Sequence, residues 1–492
     1  MVVEIITNCL KWFIERKLFT WPITILTIAM LVILAIEKAG VKEKDKIGFI
    51  VTLASLIITE CLLIILPAEE FLDKTKEIFV MDNFAKCFSI FTIFITIMIT
   101  VAIYYYSRGL PEVAVFYALI TGTAIGLLLL PASVDILGVF VAWELLSVPL
   151  YIMVAYTANW EKGIEGAMKY FIMGTTSSGI LALGVGIIGS LAGTTNLYAL
   201  SMNIKIASNL ELILYVLGVI ALLCGFGVKI TLVPLHQWAP DTYEGAMPPV
   251  TAYLSGAIKV VRFTAPLRVF MLLTPLLRYN ARLFLAILAF LTMTYGNIVA
   301  LKQRKVIRML AYSSIAQMGY VAIGLVAGTE LGLAASIFYL LIFAIMEAIV
   351  FITAGIVLLY LKAETIDDYN GLYDEYPLVA VIMMCGLLSL VGLPPFAGFP
   401  GKVMLFIAAW QIGLAWLAIA LAINSGISIG YYGLLIKRMF LDEPSEKVKV
   451  RVKIPLPFKI TLIILTLLLV FFGVWPKSLF DVSSLGAKVL LS

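Results

Sequence analysis

Long apolar runs recur along the whole chain and are separated only by short polar gaps. A helix that crosses a bilayer needs about 20 consecutive apolar residues, so each run of that length predicts one crossing. We therefore expect an all-α polytopic membrane protein with about fourteen transmembrane helices. The predicted helices lie near residues 18–37, 47–67, 83–106, 112–130, 134–157, 165–192, 211–235, 247–275, 281–301, 306–328, 331–361, 377–409, 412–437 and 456–475.

Two of these helices, the seventh and the twelfth, contain breaks rich in proline and glycine. The seventh ends in VPLHQWAP, and the twelfth contains GLPPFAGFPGK, Gly392 to Lys402. Proline removes a backbone donor and interrupts a helix. Non-helical backbone at membrane depth persists only where protein or a water-filled cavity shields it. Interrupted helices in both halves of a membrane protein therefore indicate inverted repeats with an ion site near the breaks.

Composition limits the possible function classes. The 492 residues are 62% hydrophobic and 13% charged, so we expect one membrane domain and no separate soluble domain. The net charge of +5 is spread over loops, which excludes a nucleic-acid surface. The five cysteines are isolated and show no CxxC spacing, so neither an iron–sulfur cluster nor a zinc site is expected in this chain.

The distribution of lysine and arginine over the loops predicts the orientation. One set of loops carries most of these residues, including the run KQRKVIR, Lys302 to Arg308. The positive-inside rule places that set in the cytoplasm. Both termini are then predicted on the outer side of the cell membrane.

Charged residues inside the apolar runs are the main candidates for function, because a charge at the centre of a membrane helix costs about 2.5–3.5 kcal/mol. Glu144 lies in the middle of VAWELLSVPL, and Lys229 lies just before the first break. We predict that they pair and that the pair modulates ion transfer. The alternative is a structural ion pair that only fixes the register of two helices.

Lys259 and His236 are predicted to carry protons near the first break. Lys259 lies deep in LSGAIKVV, and a desolvated lysine can take up and return a proton near neutral pH. The alternative for Lys259 is snorkelling to the membrane surface. His236 is the only histidine, so it cannot form a metal site alone; a proton relay and a packing role are equally compatible with it. Asp241 and Glu244 follow Pro240, and we expect them to cap the next helix rather than to line an exit.

Two further charges lie in the second half of the chain. Lys402 follows the second break and is predicted to be a relay. Glu347, in IFAIMEAIVF, is expected either to bridge Lys259 and Lys402 or to pair with Lys302 or Arg308.

Several segments resemble the antiporter-like proton-pumping subunits of complex I, which have relatives in Mrp-type antiporters and membrane-bound hydrogenases. The resemblance covers roughly residues 80–440, and its most specific part is PLHQWAPDTYEGAMPPVTAYLSGAIK. The segment TYEGAMPPV is most similar to the corresponding segment of the N-type subunit. The other matching segments are VAWELLSVPLYIM, KYFIMGTTSSGILALG, ALKQRKVIRMLAYSSIAQMGY and GLLSLVGLPPFAGFPGK.

The resemblance implies fourteen helices that contain two inverted five-helix repeats. The first three helices would occupy residues 1–110, the repeats 111–275 and 276–440, and a loop with the last helix 441–492. Since only a short stretch follows Trp475 in the sequence, we do not expect the long lateral helix of the L-type subunit.

The resemblance also implies roles for individual residues. Glu144 and Lys229 match the modulating ion pair, His236 and Lys259 the central relay, and Lys402 the terminal lysine of the second half-channel. The family's histidine and lysine on the eleventh helix are not kept, since Phe343 and Glu347 occupy those places.

We therefore expect a membrane subunit that translocates H⁺ or Na⁺ within a complex I-like respiratory complex, such as a quinone oxidoreductase or a membrane-bound hydrogenase. Its partners would be other membrane subunits, including further antiporter-like subunits, and a redox module. This chain would hold no cofactor, whereas iron–sulfur clusters and another redox centre are expected in the partners. Two alternatives remain: a subunit of a Mrp-type Na⁺/H⁺ antiporter without a redox partner, and a purely structural scaffold.

Overall fold

The structure, a computed structural model, describes residues 20–69, 75, 77–107, 112–156, 160–204, 206–273 and 278–491. Within these ranges it is helical, and twelve helices are long and apolar enough to cross a membrane. Numbered in chain order, the helices are α1 Thr20–Lys38, α2 Lys44–Ile65, α3 Asn83–Tyr106, α4 Val113–Ala132, α5 Ile136–Ala155, α6 Trp160–Ala192, α7 Leu197–Asn203, α8 Asn209–Lys229, α9 Trp238–Gly245, α10 Pro248–Tyr253, α11 Lys259–Leu273, α12 Arg278–Ala300, α13 Val306–Ala327, α14 Glu330–Leu361, α15 Leu372–Glu375, α16 Pro377–Val391, α17 Gly398–Gln411, α18 Ala415–Leu441, α19 Leu456–Val474 and α20 Lys477–Leu491.

The all-α polytopic fold class is confirmed. The two predicted crossings that are not among the twelve, 247–275 and 377–409, are both divided into shorter pieces. A π-helical turn, Leu254–Ile258, separates α10 from α11, and a loop separates α16 from α17. The count of fourteen crossings and the boundaries of the two repeats stay predictions.

Both predicted helix breaks are present. In the first, α8 ends at Lys229 and α9 begins at Trp238. Thr231, between them, adopts a left-handed conformation with φ of 61°. In the second, α16 ends at Val391 and is followed by Gly392 with φ of 90°, a conformation that only glycine adopts without strain. Each break therefore ends one helix inside the apolar part of the protein.

Helix α14 lies at the centre of the described helices. The apolar part of α14 is entirely buried, whereas 22% of that of α1 and 28% of that of α19 is buried. It contacts α3, α10, α13, α16, α17, α19 and α20. A residue on α14 is therefore surrounded by protein on all sides, and this places Glu347 in the middle of the molecule.

The C-terminal helix α20 was not predicted. It packs against α14 and α3, and its buried residues recur with helical spacing at Leu479, Ser483, Gly486, Ala487 and Leu490. The backbone comes close to α3 at Gly486, where an added Cβ would lie 3.5 Å from the Cα of Phe84. The residues after Trp475 therefore form part of the packed structure.

A buried ion pair joins α11 to the beginning of α3. The guanidinium of Arg268 donates to both carboxylate oxygens of Asp82, at 2.9 and 3.0 Å, and also to the carbonyl of Pro131 at 2.9 Å. Asp82 in turn accepts a hydrogen bond from the backbone N–H of Ala85 and so caps α3. The pair connects three helices through charge-assisted hydrogen bonds from the two terminal nitrogens of Arg268.

On the surface, Asp368 organises the loop between α14 and α16. Its carboxylate accepts hydrogen bonds from the backbone N–H groups of Glu364 and Thr365 and from Lys447 at 2.9 Å. Burial alone would raise the pKa of Asp368, but the hydrogen bonds from Thr365, Lys447 and Glu364 outweigh it and lower the pKa to about 2. The charged carboxylate therefore holds the C-terminal loop around Lys447 against this turn.

Replacing Arg268 should strongly destabilise the fold. Arg268→Met leaves Asp82 buried without its counter-ion, and breaking a buried pair in this way costs about 3–5 kcal/mol. Urea unfolding of the detergent-solubilised protein measures the loss. The control is Lys449→Met, which removes an exposed pair with Glu446 and should have no measurable effect. Equal effects of the two substitutions would contradict the structural importance of the buried pair.

The Asp368 contacts should depend on pH in a defined direction. Because the pKa of Asp368 is lowered from its ordinary 3.8 to about 2, its contribution to stability is present above the ordinary value and is lost as the pH falls towards about 2. Hydrogen exchange of residues 362–370, corrected for the intrinsic rate at each pH, should be faster in Asp368→Asn than in the unsubstituted protein at about pH 6, and equal in both below about pH 2. If the exchange rates of the two proteins still differ by the same amount below about pH 2, the role assigned to the charged Asp368 is refuted.

Candidate ion-translocation site

The first charged pair in the membrane region is Glu144 with Lys229. The Nζ of Lys229 lies 2.9 Å from Oε1 of Glu144, and the lysine side chain is only 1% exposed. Lys229 is the last residue of α8, where the negative end of the helix dipole favours a cation. The predicted pairing is therefore present, and its role in ion transfer stays a prediction.

Two serine hydroxyls complete the surroundings of this pair. Lys229 also donates to Ser147 at 2.9 Å and to Ser178 at 3.0 Å, so its ammonium group has three acceptors. The hydroxyl of Ser178 additionally lies against Glu144. Sequence reasoning did not single out these serines. Ser147 could have been found from its spacing in the sequence, because it lies one helical turn after Glu144 on α5.

Lys259 and Glu347 form the second charged group, at the centre of the molecule. Lys259 follows the π-helical turn, is 1% exposed and donates to Ser314 at 2.8 Å. Glu347 is fully buried on α14, and its polar neighbours are Lys259, Ser255 and Ser314. Lys259 therefore does not snorkel to the membrane surface.

The alternative pairing of Glu347 with Lys302 or Arg308 is not found within the described residues. Lys302 is exposed, and Arg308 pairs elsewhere. Both oxygens of Glu347 are buried without a hydrogen-bond partner in the described part of the chain. A buried carboxylate is costly unless it is hydrogen-bonded or paired, and Lys259, Ser255 and Ser314 are the neighbouring groups that can stabilise it.

Lys402 occupies the second break. Its Nζ donates to the carbonyls of Leu390 and Val391, at 2.8 and 3.0 Å, which are the last two residues of α16. It also lies 4.4 Å from the centre of the Tyr320 ring. The lysine is 5% exposed, and the described residues provide no carboxylate that pairs with it. Lys402 is therefore held by helix-end carbonyls and an aromatic face.

Polar side chains on α13 lie between the central group and Lys402 along the helix. Ser314 accepts the hydrogen bond from Lys259, and Gln317, one turn further along, donates to the carbonyl of Leu390, which Lys402 also binds. The three-residue spacing of Ser314, Gln317 and Tyr320 along α13 is the signal from which this row of polar side chains could have been predicted.

His236 lies in the first break. Its ring packs edge-on against Tyr295 of α12, with 4.7 Å between ring centres, and the side chain is 5% exposed. No hydrogen bond to Lys229 or Lys259 is found among the described contacts of His236. The structure thus brings together Glu144 with Lys229 and Lys259 with Glu347, while His236 and Lys402 lie apart from both pairs.

The prediction that Asp241 and Glu244 cap a helix is wrong. Asp241 pairs with Lys169 and Arg308, each at 2.7 Å, and Glu244 pairs with Lys305 at 2.6 Å. The helix that follows, α10, has Met247 at its start and no side-chain cap. The carboxylates bind cations from α6 and from the beginning of α13, so they join these elements to α9.

Comparison with known proteins assigns the family. The family model described as "NADH:quinone oxidoreductase/Mrp antiporter, TM" matches residues 133–428. The F(420)H(2) dehydrogenase subunit N of Methanosarcina mazei is 30% identical over 465 residues, which cover 92% of this chain and 94% of that protein. The NADH-quinone oxidoreductase subunit N of Trichlorobacter lovleyi is 38% identical over 372 residues, which cover 75% and 76%.

A solved structure has the same fold. A chain of respiratory complex I from Thermus thermophilus superposes with a TM-score of 0.79 at 26% identity, covering 94% of this chain and 98% of that one. The described helices, the family model and the two N-type relatives agree with the resemblance found in the sequence. The chain belongs to the NADH:quinone oxidoreductase/Mrp antiporter transmembrane family.

Proposed function

We propose that this chain is an ion-translocating membrane subunit of a complex I-like respiratory complex, in which electron transfer in partner subunits drives ions through a path of buried charges. The observation that carries the proposal is the series of charges within the helices, the ion pair Glu144–Lys229, the buried Lys259 and Glu347, and the buried Lys402, each of the three lysines held by acceptors inside the protein. Retaining so many charges at membrane depth is costly, and this disfavours a purely structural scaffold.

In this proposal Glu144 controls the proton on Lys229. A buried ammonium group that loses its counter-ion releases its proton more readily. Movement of Glu144 away from Lys229 would therefore send the proton towards Lys259 and Glu347, and its return would let Lys229 take up another. His236 borders the first break and is a second candidate carrier there.

The second half of the path runs from Glu347 and Lys259 along α13 to Lys402. The shared carbonyl of Leu390 connects Gln317 with Lys402 and supports this order. Glu347 takes the place of the basic residue that related subunits carry on this helix, so the central step exchanges a proton between a carboxylate and an amine.

The complex would supply what this chain does not carry. Both named relatives are subunits of dehydrogenases or quinone oxidoreductases, which supports a redox module with iron–sulfur clusters and another redox centre, together with further antiporter-like subunits. We place the lysine-rich loops in the cytoplasm and both termini outside, because of the charge distribution over the loops. The transported ion is H⁺ or Na⁺.

Removing the first pair should abolish coupled transport. In inside-out vesicles energised with F420H₂ or NADH, Lys229→Ala and Glu144→Ala should lower ion transport by about 100-fold, the size expected for loss of a proton-transfer group. A pH-sensitive dye measures H⁺ uptake and radioactive sodium measures Na⁺ uptake. Lys449→Ala, an exposed lysine, is the control for the substitution itself. Unchanged transport in both variants, with the complex assembled, would refute the proposed function.

Ion transport should require that Glu347 can gain and lose a proton, and not only that its side chain fills space. Glu347→Gln keeps the size of the side chain but cannot carry a proton on a carboxylate, so transport should fall by about 100-fold while the complex still assembles. Full transport in this variant would remove Glu347 from the path. Transport of Na⁺ against H⁺ in the unsubstituted vesicles without any electron donor would instead favour a Mrp-type antiporter.

A further inference from the structure

Arg262 is a buried cation that the path described above does not use. It lies one helical turn after Lys259 on α11 and is 1% exposed. Its Nη2 donates to the hydroxyl of Tyr170 at 2.8 Å and to that of Ser147 at 3.2 Å. Its Nε is buried without a hydrogen-bond partner, and Arg262 forms no ion pair within the described residues. A guanidinium stays protonated at any relevant pH, so this positive charge is permanent.

The position of Arg262 links it directly to the first ion pair. The oxygen of Ser147 accepts hydrogen bonds from both Arg262 and Lys229, while its own hydroxyl donates to the carbonyl of Trp143. A hydroxyl group can donate one hydrogen bond and accept two, so the hydrogen-bonding capacity of the Ser147 hydroxyl is filled. Two cations thus donate to the same oxygen of Ser147. Ser147 itself lies one helical turn from Glu144 on α5.

The charges of this group explain why a second cation is useful. While Lys229 is protonated, two positive charges contact Ser147, one helical turn from the single carboxylate of Glu144. When Lys229 has given up its proton, Arg262 is the cation that still contacts Ser147, and the group of Glu144, Lys229 and Arg262 becomes neutral as a whole. Without Arg262 the same step would leave Glu144, whose side chain is 26% exposed, without a counter-ion, which is costly for a carboxylate largely removed from solvent.

We propose that Arg262 is the second cationic partner of Glu144, a positioning residue that takes over as counter-ion when Lys229 releases its proton. The proposal rests on the proposed function, since it assigns a role within the same path. The free Nε gives Arg262 unused donor capacity for a carboxylate. Arg262 acts through Glu144 and does not itself carry the ion.

The competing explanation is structural. Tyr170, which binds Arg262, stacks on Trp238 of α9 with 4.7 Å between ring centres. Arg262 could therefore serve only to hold α6 and α9 in place through the tyrosine hydroxyl. The two roles differ in what they require, because the counter-ion role needs the charge and the structural role needs the hydrogen bond to Tyr170.

Three variants in the full complex separate these roles. Arg262→Gln keeps a polar side chain and removes the charge, and we expect coupled ion transport per electron to fall at least about tenfold. Arg262→Lys keeps the charge with a different shape and should retain at least about half of the transport. Tyr170→Phe removes only the hydroxyl bound by Arg262 and should also retain at least about half. Transport is measured in inside-out vesicles with a pH-sensitive dye, and assembly by the amount of intact complex.

Each contrary result overturns the role of Arg262. The first is that coupled ion transport in Arg262→Gln lies within about twofold of that in the unsubstituted complex. The second is that transport in Arg262→Lys falls as far as in Arg262→Gln, and the third is that transport in Tyr170→Phe does so. If Arg262→Gln fails to assemble, Arg262→Lys still decides, because loss of transport in an assembled Arg262→Lys complex excludes a role based on charge. Lys229→Ala in parallel tests the proposed function. Transport that does not depend on Lys229 overturns that function, whereas transport that depends on Lys229 but not on Arg262 overturns only this inference.

Discussion

An ammonium group surrounded by apolar side chains must find its hydrogen-bond acceptors within the protein, and the three buried lysines find them in two ways. Lys229 and Lys259 bind serine hydroxyls and have a glutamate nearby, whereas Lys402 binds carbonyls at the end of α16. The two helix breaks are what bring helix ends to this depth. Without them the negative ends of α8 and α16 would lie at the membrane surface and could not stabilise a buried cation.

The fully buried helix α14 gives the two halves of the path a common centre. It carries Glu347 and contacts α10 on one side and α13, α16 and α17 on the other. The backbone of the π-helical turn packs closely against it, since a Cβ at Gly256 would lie 3.3 Å from the carbonyl of Ala344. A π-helical turn in this place widens the helix locally and is common at functional sites. The central charges therefore lie where two packed helices are held at short distance.

The sequence predicted features that depend on local pattern. The all-α membrane fold follows from the apolar runs, and the two breaks follow from Pro234 and the Gly392 region. The pairing of Glu144 with Lys229 could be predicted because each is a single charge in an apolar run. Features that depend on residues distant in sequence were either not predicted or predicted wrongly. Asp241 was expected to cap a helix, but its partners Lys169 and Arg308 lie about seventy residues away in sequence. Local sequence does not show such partners.

The different acceptors of Lys229 and Lys402 have a consequence for how each responds to the loss of a proton. A protonated lysine has three N–H donors, and Lys229 uses all three, on Glu144, Ser147 and Ser178. A neutral amine has two donors and one acceptor lone pair, so deprotonation of Lys229 requires either that a serine hydroxyl turns to donate to the amine or that one of these contacts separates. Within the described part of the chain, Lys402 makes two hydrogen bonds, both to carbonyls of α16, and a neutral amine can keep both. Loss of a proton from Lys229 therefore rearranges the hydrogen bonds around it, whereas Lys402 can lose a proton and keep both of its hydrogen bonds.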